Sequence, residues 1–421
     1  MIREKKILFT HWDGGRGHIN RILDVADESK KRGYRIGIIT TKAISHSLPF
    51  AFDNTYIIPT RPPLQPPPDY ELPLYSHARS HGQRLRGLGF SRDFILSVNK
   101  QEQRAVDDFI PDVVVNDYRD TIKNVTDISD IPLVGIVQSN GHPSGQQLGW
   151  FIDVADTNIP SCLNEFNEAR TSKGLDALSD EREMFAGDYQ IIPSVPEIDP
   201  IEAHSSQVDY VGLLSYRYRN KPINNPSILG QNDKKVVCNV TPSNRQKYGQ
   251  EDILKAIPQS LNVNIMNIDE SGVKVRTIKQ RLGIFATRRF IDHNLVLPGS
   301  SVFITYGGHG SVLSALKYGV PILGLGPYSS EQHGTLQNIQ SYGAGLILPH
   351  GSQIKNIHAS DMGDMNIYGY WQTSITANQI IRKLQTILNE DYYSLRAMDL
   401  ANKLEKAGGA IAAVDAIEKQ I

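Results

Sequence analysis

Short, almost uninterrupted apolar runs, each closed by a polar or glycine-rich turn, recur along the chain. They are KKILFT, YRIGIIT, PDVVVND and IPLVGIVQS in the first half, then KKVVCNV, NVNIMNI, GIFATRRF, SVFITYG, VPILGLG and AGLILP in the second. A strand buried on one face alternates apolar and polar side chains, whereas a strand covered on both faces reads as a continuous apolar run. The pattern therefore predicts parallel sheets flanked by helices. Near the N-terminus the connection is visible: KKILFT leads into Gly14, Gly15 and Gly17, and then into a segment where Ile19, Ile22, Leu23 and Ala26 recur at helical spacing until Gly33 ends it. The next strand, YRIGIIT, completes a β-turn-α-β unit whose turn delivers the chain to a helix N-terminus.

A length of 421 residues is compatible with two or three domains. The stretch KPINNPSILGQNDK, rich in Asn and Pro, breaks the strand-helix rhythm and reads as a linker. The expected organisation is an N-terminal domain over 1–221, a second domain over 228–372, and C-terminal helices over 373–421 packing back toward the first. In that last segment Ile380, Ile381, Leu384 and Leu388 make one apolar stripe, and Leu395, Met398, Leu400 and Leu404 a less regular one. The fold class is thus α/β, with two doubly wound Rossmann-like domains. Between Thr60 and about Phe94 successive prolines predict a long loop with a short helix near 76–88, which either lines a site or makes a solvent excursion.

Charge and cysteine content remove several functions. The 44 basic and 45 acidic side chains leave a net charge of −1, so the chain has no overall positive field for nucleic acid. Cys162 and Cys238 lie far apart without metal-ligand spacing, which argues against a disulfide scaffold or a structural zinc. No apolar stretch approaches 18 residues and no signal-peptide pattern is present. The expectation is a cytoplasmic protein without an integral membrane segment; monomer and homodimer both remain open.

The segment VFITYGGHGSVLSALKYGVPILGLGPYSSEQHGTLQNIQSYGAG is the most informative. Gly307, Gly308 and Gly310 permit close approach after a strand, and Ser311 falls where a helix should begin, an arrangement suited to a diphosphate. It has no Walker lysine and is not GxGxxG, so glycine spacing alone fits an ordinary tight turn equally well. The turn, the GVP segment, the Pro followed by Glu331 and Gln332, and the final GAG together resemble the donor motif of GT-B-fold glycosyltransferases of the antibiotic and UDP-glycosyltransferase-like group. GRGHINR and VVVND extend the resemblance over nearly the whole chain.

The resemblance implies that Phe290 and Ile291 support the donor base, that Gly308, His309, Gly310 and Ser311 hold the diphosphate, and that Glu331 and Gln332 grip sugar hydroxyls. Thr241 or Ser243 is a looser match for phosphate. Tyr306 stands where much of the family has a phosphate-binding histidine, so its hydroxyl either replaces that donor or the ring packs. Ser314 replaces a ribose-holding glutamate, which resembles relatives using deoxythymidine diphosphate sugars, and Thr335 replaces a frequent asparagine.

His18 matches the catalytic histidine of the family, and a neutral imidazole suits a base near pH 7. Asp117 matches its orienting carboxylate, with Asp120 a nearby competitor. His142 either faces the acceptor or is a polar loop residue; Arg16 either meets an acidic acceptor or phosphate or lies on the surface. His11 precedes the glycines and lacks the family match. Without a D-x-D motif, the implied activity is inverting, metal-independent transfer from a nucleotide diphosphate sugar, dTDP-linked in preference to UDP-linked, to a small-molecule natural-product acceptor. The nucleotide sugar is a substrate and no cofactor is implied. A catalytically weak nucleotide-sugar-binding protein and a related sugar-nucleotide epimerase are the alternatives.

Overall fold

Three neighbouring valines in Val113–Asp117 (β4) have no exposed surface, as the uninterrupted apolar run requires of a strand covered on both faces. The computed structural model describes residues 4–62, 81–145, 161–202, 207–216, 235–239, 262–266, 284–286, 293–325, 330–348, 353–359, 363–369 and 376–421. Around β4, Lys6–His11 (β1), Arg35–Thr40 (β2), Asn54–Ile57 (β3), Leu133–Ile136 (β5), Tyr189–Ile192 (β6) and Val208–Tyr210 (β7) form a seven-stranded sheet in the order β3-β2-β1-β4-β5-β6-β7. Every pairing in it is parallel.

A second parallel sheet repeats the plan with Lys235–Asn239 (β8), Asn262–Met266 (β9), Ile284–Ala286 (β10), Val302–Thr305 (β11), Ile322–Gly324 (β12) and Gly345–Ile347 (β13), in the order β10-β9-β8-β11-β12-β13. Gln353–Ala359 and Gly363–Gly369 form a separate two-stranded sheet. The expected pair of Rossmann-like α/β domains with C-terminal helices is what the chain forms. In each sheet the strand order reverses once, at β1/β4 and at β8/β11. At such a point the connecting helices lie on opposite faces, opening a crevice beyond the C-terminal strand ends where ligands bind in open α/β sheets. His11 pairs with Asp117 at the first reversal and Thr305 with Asn239 at the second.

The chain divides into two compact units, Met1–Tyr216 with Ile357–Met365 and Ala407–Ile421, and Arg217–Asn356 with Asn366–Lys406. The expected linker stretch, 221–234, falls outside the described residues. Helices run over His81–Gly87 and Arg92–Phe109, so the later part of the Thr60–Phe94 stretch is helical. The terminal helix Ala410–Glu418 completes the first core: Ala413, Val414 and Ile417 pack with Ile7, Phe9, Ile19, Ile22 and Val25. Polar ties surround that contact, with Arg32 Nη1 2.7 Å from Asp415 Oδ1 and Lys419 Nζ 2.9 Å from Asp209 Oδ2. Among the described residues no helix is long and apolar enough to cross a membrane.

Because Ile417 has no exposed surface, its truncation leaves a cavity in the first core. Ile417→Ala should cost about 2–5 kcal/mol and lower the urea midpoint of that unit. A midpoint unchanged from wild type would show that the terminal helix is not part of the core.

Candidate active site

The turn after β1 is shaped by Trp12. Its indole Nε1 lies 1.9 Å from where a Cβ on Gly14 would stand, so the ring occupies the space a side chain would need. Only glycine lets the chain pass beneath it into the helix Arg16–Lys31. That helix carries His18 and Arg21, three residues apart and therefore on one face. Both meet Asp117 at the C-terminal end of β4.

His18 Nδ1 is 2.6 Å from Asp117 Oδ1; Arg21 Nε is 2.6 Å from Oδ2 and its Nη2 is 2.8 Å from Oδ1. Asp117 is fully buried and Arg21 nearly so, whereas the His18 side chain keeps 23% of its surface exposed. Burial by itself would raise the Asp117 carboxyl, but the neighbouring charges of Arg21 and His18 and their hydrogen bonds hold it at about 2. An ionised carboxylate can only accept, so the 2.6 Å contact assigns the His18 proton to Nδ1 and leaves the lone pair on Nε2. Tyr118, at φ 58°, sets its ring edge-on to His18 with centroids 5.5 Å apart. Its hydroxyl donates to Asn140 Oδ1 and accepts from the Gln138 N–H.

The competing candidates take other positions. Asp120 is buried, and burial pushes its carboxyl up to about 7 against the charges of Arg84 and Arg119. The carboxylate that touches His18 is thus Asp117. His11 is engaged at both ring nitrogens, with the Trp12 carbonyl and the Thr40 hydroxyl, and burial lowers it to about 4. His142 is buried, with Nδ1 accepting from the Ser144 N–H at 3.0 Å. Arg16 is exposed at the first position of the helix that carries His18. Two residues the sequence reading did not single out also belong here. Arg21 lay between the apolar positions of its helix, though its three-residue spacing from His18 is a usable signal. His81 packs against Tyr118 and Phe185, and its Nε2 is buried without a hydrogen-bond partner.

In the second unit Gly307 follows β11 at φ 92°, where a Cβ would stand 2.7 Å from the Gln332 carbonyl oxygen. Glycine is required both for that backbone angle and for that contact. The turn therefore rests on the helix Ser330–Tyr342, whose first turn carries the half-buried Glu331 and Gln332. Gly308 caps the helix His309–Leu316 without a side-chain hydrogen bond, and nothing stands within 4 Å of where a Cβ on Gly308 or Gly310 would be. A helix start of this kind presents N–H groups and the positive end of the helix dipole to an anion. Ser311 is half-buried there; Tyr306 and His309 are buried beside it.

Ser314 turns its hydroxyl onto its own helix, donating to the Gly310 carbonyl at 2.5 Å, and Thr335 does likewise to the Glu331 carbonyl at 3.1 Å. Thr241, Ser243, Phe290 and Ile291 lie outside the described residues. Among the described residues no group of three or more His, Cys, Asp or Glu is placed to hold a metal ion.

The chain matches no protein-family model. The PGL/p-HBAD biosynthesis rhamnosyltransferase of Mycobacterium bovis is 21% identical over 305 residues, covering 66% of this chain and 66% of that protein, a little under two thirds of its length. The calicheamicin glycosyltransferase CalG4 superposes with a TM-score of 0.70 at 17% identity, covering 100% of this chain and 98% of its own. The glycosyltransferase VinC, solved in complex with dTDP, gives a TM-score of 0.66 at 13% identity, with 99% of both chains covered. These likenesses establish the two-domain GT-B architecture over the whole chain.

Asp120 has a thermodynamic signature of its own. A free aspartate titrates near 3.8 and folded Asp120 near 7, so between those values the folded state keeps a proton that the unfolded state has released. Stability contributed by this group therefore falls as pH rises from about 4 to about 7. Asp120→Asn should gain melting temperature over wild type at pH 8 and lose most of that advantage by pH 5. A difference independent of pH would contradict the buried, protonated carboxyl.

Proposed function

We propose that the protein is an inverting, metal-independent glycosyltransferase that moves a sugar from a nucleotide diphosphate to a hydroxyl of a small-molecule natural product. The observation that carries this reading is the 2.6 Å contact between His18 Nδ1 and an ionised Asp117, which leaves Nε2 of a partly exposed imidazole as a proton acceptor. In the proposed step the acceptor hydroxyl gives its proton to Nε2 as its oxygen bonds to the anomeric carbon. The bond from that carbon to the diphosphate oxygen breaks, and the leaving group keeps the electron pair. Asp117 then stabilises the imidazolium.

The leaving diphosphate is assigned to the turn Gly308–Ser311, where the helix dipole and backbone N–H groups oppose its growing charge. Glu331 and Gln332 are assigned to the sugar hydroxyls: the carboxylate accepts from two alcohols and the amide both donates and accepts. For the nucleoside, the residues assigned from the sequence resemblance are Phe290 and Ile291, with Thr241, Ser243 and Tyr306 beside the phosphates; Arg16 and His142 are assigned to the acceptor. A dTDP-linked donor is favoured over a UDP-linked one because Ser314 spends its hydroxyl on the Gly310 carbonyl and offers no carboxylate to a ribose 2′-hydroxyl. The similarity to VinC, solved with dTDP, supports that choice.

Single-turnover transfer at saturating donor and acceptor, run with matched dTDP and UDP sugars, tests the proposal. His18→Ala should reduce the rate by about 100-fold to 10,000-fold while donor affinity, measured separately, stays close to wild type. The dTDP sugar should be the better donor. Near-wild-type transfer by His18→Ala would remove His18 as the base, and binding without transfer across a broad acceptor panel would favour a nucleotide-sugar-binding protein.

A further inference from the structure

Asp117 has two oxygens, and His18 touches only one of them. A carboxylate held at one oxygen can rotate about its Cβ–Cγ bond and lose the direction of its contact with the ring. Arg21 is the residue that engages both, Nε at 2.6 Å from Oδ2 and Nη2 at 2.8 Å from Oδ1, in the two-point geometry that makes guanidinium the best partner for a carboxylate. We propose that Arg21 is the positioning residue of the His18–Asp117 pair: it fixes the plane of the carboxylate so that Oδ1 is aimed at Nδ1 and the ring keeps its proton on that nitrogen. The role in transfer rests on the function proposed above; the orientation of the ring does not.

One further distance shows how closely the guanidinium approaches the ring. Arg21 Nη2 also lies 2.9 Å from His18 Nδ1. With Nδ1–H directed at Oδ1, that ring nitrogen has no lone pair to accept an arginine hydrogen. The approach therefore sets a permanent cation beside the imidazole rather than a hydrogen bond.

Other titratable groups also surround His18. Tyr118 faces it from beyond β4 with a ring edge, and its hydroxyl is engaged with Asn140 and the Gln138 N–H. His81 and His11 lie within electrostatic reach, and burial lowers both, which favours their neutral forms. Among the described residues, the charged side chains in direct contact with His18 are Asp117 and Arg21.

The test compares wild type, Arg21→Met and Arg21→Lys as full-length proteins, using the 15N shifts of the His18 imidazole, which report its tautomer, at alkaline pH without substrate, together with kcat and donor KM. In Arg21→Met the preference for the Nδ1–H tautomer should be lost, since the Asp117 carboxylate is free to turn away from the ring. kcat should fall by about tenfold or more with donor KM unchanged. An unchanged tautomer in a folded Arg21→Met, judged by its amide spectrum, overturns the proposal whether or not transfer is found. A lost tautomer preference in a protein whose wild type transfers nothing supports the positioning and overturns the functional reading instead.

Arg21→Lys carries the test if the methionine variant does not fold. An ammonium keeps the charge but cannot hold both oxygens, so the Nδ1–H tautomer should again lose its preference and kcat should fall by about tenfold or more with donor KM unchanged. Wild-type kcat in Arg21→Lys would overturn the proposal.

Discussion

A carboxylate with no exposed surface, Asp117, is the constraint on which the first site depends. Its desolvation is offset by the two-point contact with Arg21 and by the His18 N–H, and removing one partner from such a buried pair typically costs about 3–5 kcal/mol. That requirement links elements far apart in sequence. Arg21 lies on the first helix and Asp117 at the end of β4, and the two come together because β4 lies beside β1 in the sheet. The contact that stabilises the charge also orients the histidine, so the local energetics and the proposed chemistry are set by the same atoms.

The two units apply one topological solution to different chemistry. In the first, the strand order reverses between β1 and β4, and the residues at the ends of those strands and in the following turn hold an imidazole against a carboxylate. In the second, the reversal lies between β8 and β11, and the turn after β11 presents a helix start shaped by Gly307. A proton acceptor and an anion site are what transfer with a diphosphate leaving group requires, the first to activate the nucleophile and the second to stabilise the departing charge.

Much of this was legible because parallel strands covered on both faces leave continuous apolar runs. Val113–Val115 and Phe303–Ile304 could be read directly. Asn54–Ile57 could not: it is an edge strand with alternating half-buried and exposed residues, too short to give a periodic signal. Gly307 and His18 stood out through their turns, but Arg21 did not, since its partner is 96 residues away and periodicity treats a polar residue between Ile19 and Ile22 as solvent-facing. The choice between Asp117 and Asp120 likewise required the fold, because three residues of sequence separation at a strand end send one side chain to His18 and bury the other elsewhere. Ser314 and Thr335 were visible as substitutions in a motif, whereas their bonds back to Gly310 and Glu331 follow from the helices that carry them.

In the proposed reaction a hydroxyl displaces the diphosphate directly at the anomeric carbon and its proton passes to His18. The most direct measurement is the anomeric configuration of the product formed in a single turnover from a nucleotide sugar of defined configuration, determined by NMR before any mutarotation or hydrolysis. Inversion is the predicted result. A product with the donor configuration retained would contradict the single-step reaction and with it the role given to His18.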